Sequence, residues 1–308
     1  VKPAPFKYAR ATTVDEAVAA LAEYGPEARI LAGGQSLLQE MNLRQTRPTH
    51  LIDINAIESL DDIREEDGAL VIGALARHRA VESSDVVRRV QPVLADAASQ
   101  IAHFQVRNRG TLGGSLAQNN PGGEYGVVAL LLDAEIRVVG PAGERTIPAR
   151  DFFTGHYETA LARDELVTEV RFPALPPGTR TAFDELTQRH GHLPFVSAAA
   201  AVRVEGGAVA EARLALGNVS KGVPVRVAAG DSLAGRELTD DVLDAFEQAV
   251  AAEVQPDLAA DEAAAYVEGL GGVLGRRTME LAGEDYRRRV AGVLARRTVQ
   301  TAYENAGR

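Results

Sequence analysis

Two glycine pairs, each closely followed by a hydroxyl residue, are the part of this chain best suited to chemistry. The first lies in Ala32, Gly33, Gly34, Gln35 and Ser36, the second in Thr111, Leu112, Gly113, Gly114 and Ser115. Glycine lets backbone come close to a ligand and aim consecutive N–H groups at it. Two such loops can hold the two phosphates of a dinucleotide from opposite sides. One Gly-Gly in a chain with 29 glycines is most simply an ordinary turn. Two in similar frames beside apolar segments support a binding reading. Neither pair is a G-x-G-x-x-G fingerprint or a G-K-[ST] phosphate loop.

The elements around the first pair fit that reading. Arg29, Ile30, Leu31 and Ala32 form a short apolar run that predicts a buried strand entering the loop. Ser36 is expected to cap a short helix through Leu37, Leu38 and Met41. A helix start favours phosphate. Upstream, Thr13 to Glu16 is a capping box that predicts a helix ending near Gly25 and Pro26.

The composition narrows the function classes. A chain of 308 residues predicts two or three domains, and 45% hydrophobic residues suffice for real cores. The net charge of −10 argues against nucleic-acid binding through phosphate contacts. With no cysteine, the chain offers no disulfide, thiol nucleophile, cysteine-held cluster or covalent cysteinyl link to a cofactor. No apolar run reaches membrane-span length, and no leader-like segment opens the sequence. The expectation is a soluble, cytoplasmic protein.

Further strands are predicted at 50–54, 70–74 and 167–172, a helix at 93–102, a buried apolar segment at 127–132 and a hairpin over 136–147. Residues 173–178, with three prolines and a glycine, read as a linker. Beyond it, 182–188, 195–205 and 209–216 predict a three-stranded antiparallel meander. Helices are predicted at 240–252 and 284–305, and 251–265 reads as a solvated helix or loop.

Other constellations are weak. His190 and His192 have no carboxylate pair to complete a metal site, so no metal is expected. No G-x-S-x-G elbow supports a hydrolase triad. Arg107 and Arg109 flank Asn108 before the second pair; they read as solvated charges or as supports of a phosphate loop. Glu124 is a surface acid by default, or an acceptor for ribose hydroxyls if the loop wraps a dinucleotide.

These segments together resemble the FAD-binding medium subunit of the molybdenum hydroxylases, the carbon monoxide dehydrogenase and xanthine dehydrogenase group. The resemblance is carried by LAGGQSLLQEMNLRQTRPTHLIDI (31–54), QVRNRGTLGGSLAQNNPGGE (105–124), ARDFFTGHYETALARDELVTEVRFP (149–173) and YRRRVAGVLARR (286–297). It implies an α+β fold. An FAD-binding domain of the vanillyl-alcohol-oxidase-like (PCMH) type would span 1–176, in subdomains of about 1–55 and 56–176. A smaller domain with a three-stranded antiparallel sheet and helices would span 177–308.

The resemblance also implies non-covalent FAD, with Gln35 standing where some relatives carry histidine. Its contacts would come from Ala32, Gly33, Gly34, Gln35, Ser36 and Leu37, from Arg109, Thr111, Gly113, Gly114 and Ser115, and from Asn119, Gly123 and Glu124. Both glycine loops would hold the pyrophosphate through backbone N–H groups. Leu166 and Val167 would lie near the adenine or flavin wall, and Glu185 would be a further contact, with the meander loop after it, through Arg189, His190 and His192, near the isoalloxazine. Catalytic residues stay unassigned.

Three departures from the family pattern stand out. Residues 118–124 read QNNPGGE, without the usual aspartate and with two glycines. Residues 189–192 read RHGH, again without an acid. Asp184 and Glu185 occupy positions where some relatives place a lysine near the flavin, a change expected to shift its redox balance.

Two functions follow from the resemblance. In one, the chain passes electrons from iron–sulfur clusters on a partner chain through FAD to an external acceptor. A [2Fe–2S] small subunit and a molybdopterin large subunit would complete a heterotrimer. In the other, it is a standalone FAD-dependent oxidoreductase acting directly on a small molecule.

Overall fold

The first eleven-residue helix shows how local sequence sets the frame. Helix Val14–Tyr24 starts where the Thr13 hydroxyl accepts the Glu16 N–H, while the Glu16 carboxylate accepts the Thr12 N–H at 2.7 Å. It ends at Gly25, whose φ of 71° lets the chain reverse. Both ends match the capping box and the Gly-Pro stop. The computed structural model describes residues 2–256 and 283–306. The contacts divide the chain into two units, and neither is continuous in sequence. The first holds Val1–Gln118, Asp133–Thr154 and Glu158–Ala174; the second holds Asn119–Leu132, Gly155–Tyr157 and Leu175–Arg308.

The first unit contains two sheets. Strands Lys7–Arg10, His50–Asp53 and Ala28–Leu31 form a parallel sheet in that order. Helix Val14–Tyr24 places Ala17 and Leu21 in one core cluster with Ile52, Ile54, Leu60 and Leu75. A five-stranded antiparallel sheet follows the order Ile63–Glu66, Ala69–Gly73, Leu166–Phe172, Glu135–Gly140, Gly143–Pro148. The hairpin and the alternating 167–172 strand are found where expected. Helix Pro92–Gln100 matches the predicted helix, shifted by one or two residues.

The second unit is built on an antiparallel sheet of Thr179–Leu186, Val196–Glu205, Ala208–Gly217 and Val225–Arg226. The three long strands are the expected meander. The short fourth strand has no periodic signal to reveal it. Strand Val196–Glu205 carries four consecutive alanines, and its first seven residues are buried. Small side chains on both faces of a strand allow helices to pack closely on each side. On one face, Ala198, Ala200 and Val202 share a core with Leu294, Ala295, Val299 and Ala302 of helix Glu284–Ala306. On the other lies helix Glu124–Leu131, the apolar 127–132 run of the sequence. Helix Asp240–Glu253 packs on the C-terminal helix, where Gly292 leaves room for the Glu247 carbonyl. The expectation for 251–265 falls largely outside the described residues.

Candidate functional site

In the first unit the strand Ala28–Leu31 delivers the chain into residues 32–36, and helix Leu37–Leu43 leads it out. Gly34 has φ +72°, a left-handed conformation that favours glycine. Among the described residues, none of the backbone N–H groups of Gly33, Gly34, Gln35, Ser36 and Leu37 donates to a backbone carbonyl. Five consecutive unclaimed donors in a half-exposed loop suit an anion with several oxygens. The expected Ser36 cap is not formed: Ser36 has helical φ and ψ, so its hydroxyl makes no capping bond.

The second glycine pair is organised differently. Helix Leu112–Gln118 begins directly after Thr111, so Gly113 and Gly114 stand in its first turn. The N–H groups there are already taken. Leu112 donates to Ala76 O at 3.0 Å and Gly113 to Ala74 O at 2.9 Å. Gly114 donates to Thr111 Oγ1 at 3.2 Å and Ser115 to Thr111 O at 3.0 Å. The pair serves close packing: a Cβ on Gly113 would lie 2.5 Å from Ala74 Cβ.

The two glycine segments nevertheless come together. A Cβ on Gly33 would lie 2.4 Å from Arg109 O and 2.8 Å from Gly110 Cα. A Cβ on Gly114 would lie 3.9 Å from Ala32 Cβ. The two helices that follow are tied by Gln118 Nε2, which donates to Glu40 Oε1 at 2.7 Å. Asn55 Nδ2 donates to Ala32 O at 2.9 Å, and Arg77 donates to Asn55 Oδ1 at 2.7 Å and to Arg109 O at 2.5 Å. Sequence reasoning misses Asn55 and Arg77, which belong to no motif. Their only signal is a polar residue shortly after each of two apolar strands.

The arginines before the second pair have separate surroundings. Arg107 pairs with Glu82 at 3.0 Å and donates to the carbonyls of Ile101 and Ala102, a structural role. Arg109 is exposed. His78 is buried, and burial followed by Arg77 and Arg107 pushes its pKa down to about 3, so the ring is neutral. Leu166 and Val167 are buried in the five-stranded sheet, with Leu166 in the cluster of Ala17 and Ile52.

In the second unit Asn119 adopts φ +41°, which asparagine tolerates well, and its amide donates to Gly155 O at 2.6 Å. Gly123 donates to Asn120 O at 2.7 Å and stands at the start of helix Glu124–Leu131. Glu124 is buried, not the surface acid of the default reading, and burial pushes its pKa up to about 7. Glu185 rises to about 8 through burial, then Glu124, then Asp184. Glu185 stands opposite Ser197 in the sheet, and Ser197 opposite Gly217. Glu185 Oε2 and Ser197 Oγ are both buried without a hydrogen-bond partner among the described residues. Asp184, the neighbouring acid, is ion-paired with Arg297.

Comparison with known proteins agrees with this architecture. Residues 4–175 match the FAD binding domain in molybdopterin dehydrogenase, and residues 181–282 the CO dehydrogenase flavoprotein C-terminal domain. The chain therefore belongs to the FAD-binding medium subunits of the molybdenum hydroxylases, and it is an oxidoreductase subunit with FAD as its cofactor. It is 39% identical to the carbon monoxide dehydrogenase medium chain of Hydrogenophaga pseudoflava, over 91% of this chain and 98% of that one. It is 36% identical to the caffeine dehydrogenase subunit beta of a Pseudomonas species, over 79% and 82%. Among solved structures, the carbon monoxide dehydrogenase of H. pseudoflava lacking its Mo-pyranopterin moiety superposes with a TM-score of 0.87 at 36% identity, covering 99% of each chain. Quinoline 2-oxidoreductase from Pseudomonas putida 86 gives 0.88 at 30% identity, again over 99% of each. No helix among the described residues is long and apolar enough to cross a membrane, and no metal-holding group of His, Cys, Asp and Glu occurs among them.

Proposed function

We propose that this chain is the electron-transfer subunit of a molybdenum hydroxylase, holding non-covalent FAD between an iron–sulfur partner and an external acceptor. The observation that carries the proposal is the run of five unclaimed amides at residues 33–37, seated by Gly33 on the 109–110 backbone. These N–H groups would take the FAD diphosphate. The second glycine pair would act by seating the start of helix Leu112–Gln118 on Ala74, directly after the 109–110 backbone on which Gly33 rests. FAD, when bound, would supply the redox chemistry that joins a one-electron cluster donor to the external acceptor. The chain binds and orients the cofactor; Asn119, Gly123, Glu124 and Glu185 remain contacts implied by the family.

With no cysteine, this chain cannot ligate the cluster that would feed the flavin. A [2Fe–2S] small subunit and a molybdopterin large subunit are therefore the proposed partners. Relatives named as the medium chain of carbon monoxide dehydrogenase and the medium subunit of nicotine 6-hydroxylase support that arrangement. Purification from the native host tests it. The expected preparation contains both partners and shows cluster absorbance beneath the flavin bands, and substrate bleaches both. The chain expressed alone is expected to bind FAD without turning over the substrate. Flavin reduction by the lone chain at about 1 s⁻¹ or faster would favour the standalone enzyme.

A further inference from the structure

Arg77 is a half-buried cation whose hydrogen bonds run to neutral acceptors. Its two terminal nitrogens donate to the Arg109 carbonyl and to the Asn55 amide oxygen. Among the described residues it reaches no carboxylate within ion-pair distance, although Asp53 and Asp61 lie near enough to be felt. Asp53 is engaged elsewhere: it accepts from the Tyr8 hydroxyl at 2.5 Å and from Asn55. The guanidinium of Arg109 lies close enough to repel Arg77, and it too has no carboxylate partner among the described residues. Two like charges near each other, with Asp53 and Asp61 felt only from beyond ion-pair distance, favour an anion arriving at the loop.

The acceptors of Arg77 lead directly to the amide loop. The Arg109 oxygen that it grips is the atom on which Gly33 rests. The Asn55 side chain that it grips holds the Ala32 carbonyl. A planar guanidinium suits this task because its fork reaches two fixed acceptors at once, which an ammonium does not.

We propose that Arg77 is the positioning cation of the diphosphate cradle: through Asn55 and the Arg109 carbonyl it fixes residues 32–33 against 109–110, and its charge favours a diphosphate on the adjoining amides. The proposal rests on the reading of residues 33–37 as a diphosphate site. Arg77 acts through its two acceptors and contributes by position and by field.

The test uses the full chain freed of flavin, titrated calorimetrically with ADP and with adenosine at several salt concentrations. Wild type is expected to prefer ADP, with an affinity that falls as salt rises. Equal binding of the two ligands would overturn the diphosphate reading itself, and the proposal with it. If wild type prefers ADP, Arg77→Met is expected to weaken ADP by about tenfold, flatten the salt dependence and leave adenosine unchanged. A purely structural role would weaken both ligands alike. Arg77→Lys keeps the charge and loses the fork, so it should restore the salt dependence and only part of the affinity. Asn55→Ala should weaken ADP with the salt dependence intact. An unchanged preference and salt dependence in Arg77→Met would overturn the proposal while the diphosphate reading stands. Should Arg77→Met fail to fold, wild-type ADP affinity in Arg77→Lys would overturn the role of the fork.

Discussion

Gly33 lies directly against the carbonyl of Arg109: a Cβ there would sit 2.4 Å from the oxygen, closer than any ordinary contact. The oxygen is backbone, and Arg77 also holds it, at 2.5 Å, so it cannot easily yield. Gly33→Ala is therefore expected to force the first loop away from 109–110. The cost is about 1–3 kcal/mol, as for overpacked sites generally. Thermal unfolding and the flavin-to-protein ratio measure the two effects, and a yellow variant of unchanged stability would contradict the packing.

Gly114 gives a second, separable result. Its Cβ would meet Thr111 Oγ1 at 2.7 Å, the same oxygen that caps Gly114 N–H. Gly114→Val should lose FAD and also about 1 kcal/mol of stability, the usual value of a lost cap. A variant with full flavin content would show that the start of helix Leu112–Gln118 can shift without disturbing the cradle.

FAD should leave the protein completely on acid denaturation. No cysteine is present for a thioether link, and residues 32–36 hold no histidine. Yellow colour retained in the washed precipitate would refute non-covalent binding.

Stability should fall as pH rises through the neutral range. Glu124 and Glu185 both hold their protons more tightly when folded, with pKa values raised to about 7 and about 8. At these two carboxyls the folded state therefore binds more protons than the unfolded chain between the ordinary carboxyl range and about pH 8, which outweighs the opposite effect of buried, neutral His78. Under linkage, stability declines with rising pH across that window. The two groups interact, so the transition belongs to the pair. Denaturant midpoints measured from about pH 5 to about pH 9 should show the decline, and Glu185→Gln should flatten it. A pH-independent midpoint in wild type would contradict the burial of the pair.

Much of the frame is legible because its signals are local. The Thr13 and Glu16 box, the apolar strands at 28–31, 50–53 and 69–73, and the 166–172 strand follow from capping and periodicity. The second glycine pair reads as a loop because glycine disfavours helix. Tertiary contacts with Ala74 and Ala76 override that preference. Glu124 reads as a surface acid because acids usually are. Its burial follows from an apolar helix whose remaining residues are almost all covered. Asn55 and Arg77 stay invisible, since their role depends on a contact across 22 residues with no spacing rule.

Helix Glu124–Leu131 sits within the stretch of sequence that matches the FAD-binding family, yet its packing partners come after residue 175. A Cβ on Gly217 would lie 2.6 Å from Val127 Cγ2, and Arg226 donates to the Leu131 carbonyl at 3.4 Å. A chain cut at the proline-rich stretch after Phe172 would thus carry an eight-residue apolar helix stripped of its cover. The gene segment for FAD binding is not a transplantable module: moved to another protein, it must bring its C-terminal sheet or expose Tyr125, Val128 and Leu131 to solvent and aggregate.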